Sequence, residues 1–137
     1  MLRKILGIIA GAALCNFGFM ALGLGLAQLW PAYAGHVQAY REQNLFMFPP
    51  MMAAITVLLW MIAAFAAGFA AMKIAQHWIA VLVLAALVVG DTVRIHVILR
   101  WADFPWWYNI ALVALFGPSI LLGAWSERSF SQRDDPG

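Results

Sequence analysis

The chain has 137 residues, of which 65% are hydrophobic and only 10% charged, with a mean hydropathy of +0.86. That balance excludes a soluble domain of this size, which needs far more polar surface to stay in water. The formal charge of +2 comes from basic residues scattered at the ends of apolar runs, so it reads as a topology signal and excludes a nucleic-acid role.

Lipid offers no hydrogen-bond partners, so a spanning segment must be a helix or part of a closed barrel. Long runs of Leu, Ala, Ile and Val without alternation exclude the barrel. The fold class expected is therefore all-α, a polytopic antiparallel bundle of four transmembrane helices. Its spans fall at about residues 5–29, 50–72, 78–99 and 106–125, each near the roughly 20 residues that a bilayer requires. Together they form one domain over residues 1–126, followed by a polar, frayed tail over 127–137.

The first span begins after Arg3 and Lys4 and is too long for a signal peptide, so it is read as retained. Cys15 lies within it as a small apolar residue, with no second cysteine to pair with. Gly7, Gly11, Gly18 and Gly25 form a small-residue stripe along this helix. Ala64, Gly68, Ala71 and Ala75 form a matching column on the second span. Small residues let membrane helices approach closely, so the two stripes are expected to pack on each other within one chain or across a dimer interface. Between these spans, Tyr33, Val37 and Tyr40 recur at helical spacing, with Gln38, Arg41 and Glu42 on another side. This pattern predicts a short helix lying on the membrane.

Pro49-Pro50 and Pro105 are placed to begin the second and fourth helices, where a missing N–H costs nothing. The turns before the third and fourth spans are short and force antiparallel neighbours. Gly117-Pro118 predicts a kink in the last helix. Arg3, Lys4, Lys73, Arg128 and Arg133 share one side, against Arg41 and Arg100 on the other. The bias predicts both termini in the cytoplasm. Trp30, Trp101, Trp106 and Trp107 then mark the outer interface, and Trp78 and Trp125 the inner one.

The third span carries GDTVRIHVILR, residues 90–100, with Asp91, Arg94 and His96 among apolar neighbours. A charge near the bilayer centre costs about 2.5–3.5 kcal/mol on insertion scales and normally finds a partner or water. Asp91 and Arg94, three apart, have the spacing of a helical ion pair. Two readings remain open. One is a structural pair that fixes the helix in an accessory or interaction protein. The other is an outward-facing polar pocket lined by Asp91, Arg94, His96, Thr92, Asn16, Trp101 and Trp107. Such a pocket suits a small transporter or a protein that binds a lipid headgroup, a quinone or a small solute. A proton relay fits less well, because IAVLVLAALVVG on the cytoplasmic side of Asp91 contains no further station.

No catalytic, nucleotide or cofactor motif is present, and none is expected to act. His36, Glu42, His96 and Asp103 follow no recognised metal-ligand spacing, and His36 and His77 read as solvated loop residues. The partners expected are membrane lipids, further copies of the chain, or a larger membrane complex.

The basic start and glycine-rich helix ending in L-W-P are followed by FPPMMAAITVLLWMIAAFAAGFAAMKIA and ADFPWWYNIALVALFGPSILLGAW. In this order the chain resembles a family of small, uncharacterised four-helix bacterial inner-membrane proteins. The resemblance covers nearly the full length. It implies a bacterial inner membrane and names no activity.

Overall fold

The structure, a computed structural model, describes residues 1–43 and 46–133. It is all-helical, and four of its helices are long and apolar enough to cross a membrane. In chain order these are α1 (Leu2–Leu29), α3 (Pro50–Ala75), α4 (Trp78–Thr92, extended by a π-helical segment Val93–Leu99) and α5 (Trp106–Arg133). The short helix α2 (Pro31–Gln43) joins α1 to α3.

Proline sets three of the boundaries. Trp30 is extended (φ −133°, ψ 92°) because the ring of Pro31 disfavours helical geometry in the residue before it. Pro50 opens α3 at a position where its missing donor is harmless. Phe104 is likewise extended ahead of Pro105, and α5 follows. At the other end α3 stops at Gln76, which adopts a left-handed conformation with φ 52°. His77 then caps α4, its Nδ1 accepting from the Ile79 N–H at 3.1 Å. The expected loop histidine is therefore a helix cap.

The long helices alternate in direction, as the short turns predicted. α3 is the central helix and packs most extensively on α5 and α1. Two glycines let α3 and α5 touch backbone to backbone. A Cβ on Gly68 would overlap the Ile120 carbonyl, and a Cβ on Gly123 would overlap that of Phe65. The α1 contact is also made of small residues. A Cβ at Gly7 would come within 2.8 Å of Ala75 Cβ, and one at Gly11 within 3.1 Å of the Ala67 carbonyl oxygen.

The two small-residue stripes thus meet within the chain, with two corrections to their membership. Gly68 faces α5, where its Cβ position falls on the Ile120 carbonyl. Gly25 has nothing within 4 Å of its Cβ position and takes no part in the packing. Gly18 touches only the edge, 3.8 Å from Ala63 Cβ. Ala64 and Ala71 are fully buried.

One other expectation changes. α5 runs on as a helix to Arg133, so SERSFSQR is helical beyond the fourth span. Ser129 and Ser131 there bond back to Trp125 O and Glu127 Oε1. The rest of the expected tail, residues 134–137, lies outside the described residues. Pro118 lies inside α5 without interrupting it. The outer surface of the bundle is apolar, with Phe17, Leu58, Leu87 and Leu122 all more than half exposed, as suits side chains that face hydrocarbon.

Gly123→Val must push α5 away from the Phe65 carbonyl, and overpacking of this kind costs about 1–3 kcal/mol. We expect a clear fall in thermal stability in detergent, measured by tryptophan fluorescence on heating, while Gly25→Ala stays at wild type.

Candidate functional site

The half of the bundle near α2 is built from rings, where the other half is built from alanine and glycine. Phe19 of α1 stacks on Trp60 of α3 with ring centroids 3.7 Å apart. Phe46 lies 4.7 Å from both Phe48 and Tyr108. His96 sits 4.7 Å from Phe104. Flat, rigid rings hold helices further apart than alanines do, and these do not fill the space they create. A cavity of about 280 Å³ remains among α1, α2, α3, the π-helical segment and the start of α5. Its lining is predominantly apolar.

α2 presents Tyr33, Val37 and Tyr40 to this cavity. The predicted amphipathic helix is therefore present, and its apolar face docks on the bundle. Arg41, expected on a different side, also contributes to the lining. From α1 the cavity receives Gly23, whose Cβ position is open.

Polar groups around the cavity are held in fixed roles. Thr56 donates its only hydroxyl proton to Met52 O at 2.9 Å, so the buried Tyr33 hydroxyl must donate to Thr56 Oγ1 at 3.2 Å. Asn109 is fully buried. Its Nδ2 donates to the Trp101 carbonyl at 3.1 Å, which turns Oδ1 toward His96 Nδ1 at 3.1 Å. An amide oxygen only accepts, so His96 carries its proton on Nδ1. In the neutral ring, Nε2 is left as a hydrogen-bond acceptor on a residue that lines the cavity.

Arg100 ties α2 to the turn before α5. Its Nε donates to Asp103 Oδ2 at 2.7 Å and its Nη1 to the Tyr40 hydroxyl at 3.1 Å. The hydrogen bond to the Asp103 carboxylate holds the guanidinium pKa above its ordinary value. Arg100 therefore stays charged and its guanidinium lies over the rings of Tyr40 and Phe104.

Of the residues expected to line a pocket, only His96 does so. Asp91 and Arg94 are exposed on the outside of α4, and no ion pair joins them. Arg100–Asp103 is the one salt bridge among the described residues. The expected Asp91–Arg94 pair fails because they straddle the start of the π-helix. The wider turn advances each residue through a smaller angle, so three steps fall further short of a full turn than in an α-helix.

Asn16 is exposed and bonds to Ala12 O in its own helix, at 3.0 Å. Thr92 is buried but spends its hydroxyl on Val88 O, at 2.7 Å. Trp101 contributes its carbonyl to Asn109, and the residue is 43% exposed. Trp107 packs edge-on against Tyr108 outside the cavity. His36, Glu42, His96 and Asp103 do not come together as a group. His36 meets the Phe48 ring, Glu42 accepts from Gln38, and Asp103 pairs with Arg100.

The residue that sequence reasoning passed over is Asn109. Its signal was present, a lone amide between Tyr108 and Ile110 inside the fourth span. Compared with family models, curated proteins and solved structures, the chain matches none. What the cavity can hold must follow from its own chemistry.

Replacing Asn109 with leucine leaves His96 Nδ1 and the Trp101 carbonyl without their partner. Each unsatisfied buried group costs about 1–3 kcal/mol. Tyr33→Phe removes only a donor, since Thr56 keeps its bond to Met52, and should cost about 1 kcal/mol. Thermal melts in detergent should rank the proteins wild type, then Tyr33→Phe, then Asn109→Leu.

Proposed function

We propose that this chain is a non-catalytic, multi-pass membrane protein that holds a small, ring-bearing amphiphile from the lipid phase, of the quinone type, in the aromatic cavity. The observation that carries this reading is the cavity itself. At about 280 Å³ it is close to the lower bound of about 300 Å³ for small-molecule pockets. One substituted ring fits that space, and the predominantly apolar lining suits such a ring better than a charged lipid headgroup. The lining provides aromatic rings at Phe19, Trp60 and Phe104, suited to contact with a flat, ring-bearing guest. His96 Nε2 provides an acceptor for one hydroxyl on the guest.

Binding is favoured over transport by the packing below the cavity. Cys15, Ala64, Ala67, Leu84, Leu112 and Ile120 are at most 2% exposed and close the bundle between the cavity and the chain termini. Continuous passage through one copy would require these contacts to open.

The orientation that accompanies this reading puts both termini in the cytoplasm of a bacterial inner membrane. It is supported by Arg3, Lys4, Lys73 and Arg128 lying toward the terminal end of the bundle. The cavity would then open in the outer half of the membrane.

Purification in mild detergent, followed by solvent extraction and mass spectrometry, tests the proposal. A ring-bearing amphiphile at close to one per chain is expected. Gly23→Leu should abolish it while leaving the melting temperature near wild type, because the new side chain enters open space. An empty wild-type protein that also fails to quench Trp60 fluorescence with added short-chain quinone would refute the proposal.

A further inference from the structure

α4 carries a long face that no other described part of the chain covers. Ile79, Val83, Leu87 and Ile98 are between 41% and 71% exposed, and Asp91 and Arg94 are exposed among them. Asp91 lies 13 residues along a span of 22 that begins at Trp78. At about 1.5 Å per residue that is roughly 20 Å from the Trp78 end, inside the hydrocarbon region. No described residue supplies a hydrogen bond or counter-charge to either group. Arg94, nearer the membrane surface, can extend its guanidinium toward the headgroups. The short side chain of Asp91 cannot.

We propose that this face is a dimer interface, on which a second copy of the chain docks about a two-fold axis parallel to the membrane normal. Asp91 of each copy then pairs with Arg94 of the other.

The charge pattern selects this occupant. The patch holds one anion and one cation, so it is complementary to itself. A two-fold axis along the normal keeps equivalent residues at equal depth. Asp91 and the facing Arg94 then differ in height by three residues, about 4.5 Å, which an arginine side chain spans easily. The approach is also open. Ala86 is exposed, and a Cβ at Gly90 would meet nothing within 4 Å. Ala86-x-x-x-Gly90 thus permits two α4 helices to cross closely beside the charges. The Gly7-x-x-x-Gly11 pair of α1, by contrast, is consumed inside the chain, buried against α3.

Disulfide trapping in membranes tests the proposal, starting from Cys15→Ala to remove the native thiol. Leu87→Cys on the α4 face should form a covalent dimer, and Phe17→Cys, equally exposed to lipid on α1, should not. Asp91→Arg and Arg94→Asp should each reduce trapping at position 87 by at least about tenfold, because each sets like charges against one another. Co-expressed, these two variants should trap a heterodimer, since one then carries two cations and the other two carboxylates.

Asp91→Asn, which keeps the shape, should also weaken the dimer if the charged substitutions prevent insertion. Equal trapping at positions 17 and 87 would overturn the proposal, as would trapping at 87 that ignores all of these substitutions. A different protein captured at position 87, in place of a second copy, would also overturn it. Loss of the cavity's ligand leaves the result unaffected, because the two surfaces share no residue.

Discussion

The bundle depends on the crossing of α3 and α5, where Gly68 and Gly123 bring two backbones into direct contact. Water exclusion does not drive helices together inside a bilayer, because lipid tails are as apolar as leucine. Dispersion between closely fitted surfaces must do so, and it falls away within a fraction of an ångström. Two glycines facing two carbonyls give the closest fit available. They fix α3 as the central helix, against which α1 lays its own glycines.

From that crossing the protein becomes unlike at its two ends. Toward the termini, Gly7, Gly11, Ala67, Ala71 and Ala75 allow tight contact and leave little space. Toward α2, Phe19, Trp60, Phe104 and Tyr108 hold the same helices apart. A gradient of side-chain size along one bundle therefore produces a closed half and a hollow half. The cavity is a consequence of that gradient, and α2 lies across it with Tyr33 and Tyr40 turned inward.

The polar groups divide in the same way. Those near the cavity satisfy one another, through Tyr33 with Thr56, Asn109 with His96, and Arg100 with Tyr40 and Asp103. All but the local Arg100–Asp103 bond join different elements, so these contacts hold the hollow end in one shape where ring packing alone would be loose. Asp91 and Arg94 are on the exposed side of the helix, facing away from the bundle. The π-helical segment begins just after Thr92, carries His96 to Asn109 and leaves Arg94 exposed.

The residues by themselves determined the four helices and most of their limits. Length and apolarity dictate spans in a medium without hydrogen-bond partners, and Pro31, Pro50 and Pro105 act locally on the backbone beside them. The stripe of Gly7 and Gly11 was legible too, because helical period alone places them on one face. Which neighbour a face meets is a different kind of question. Gly68 turned to α5 and Gly25 to open space, and neither outcome follows from period. The π-helical segment carries no glycine or proline to announce it, so the spacing of Asp91 and Arg94 suggested a pair that the wider turn undoes. The cavity and its His96–Asn109 bond join residues thirteen apart across a turn. Only tertiary packing decided them, because a void belongs to the fit between helices and is written in no single one.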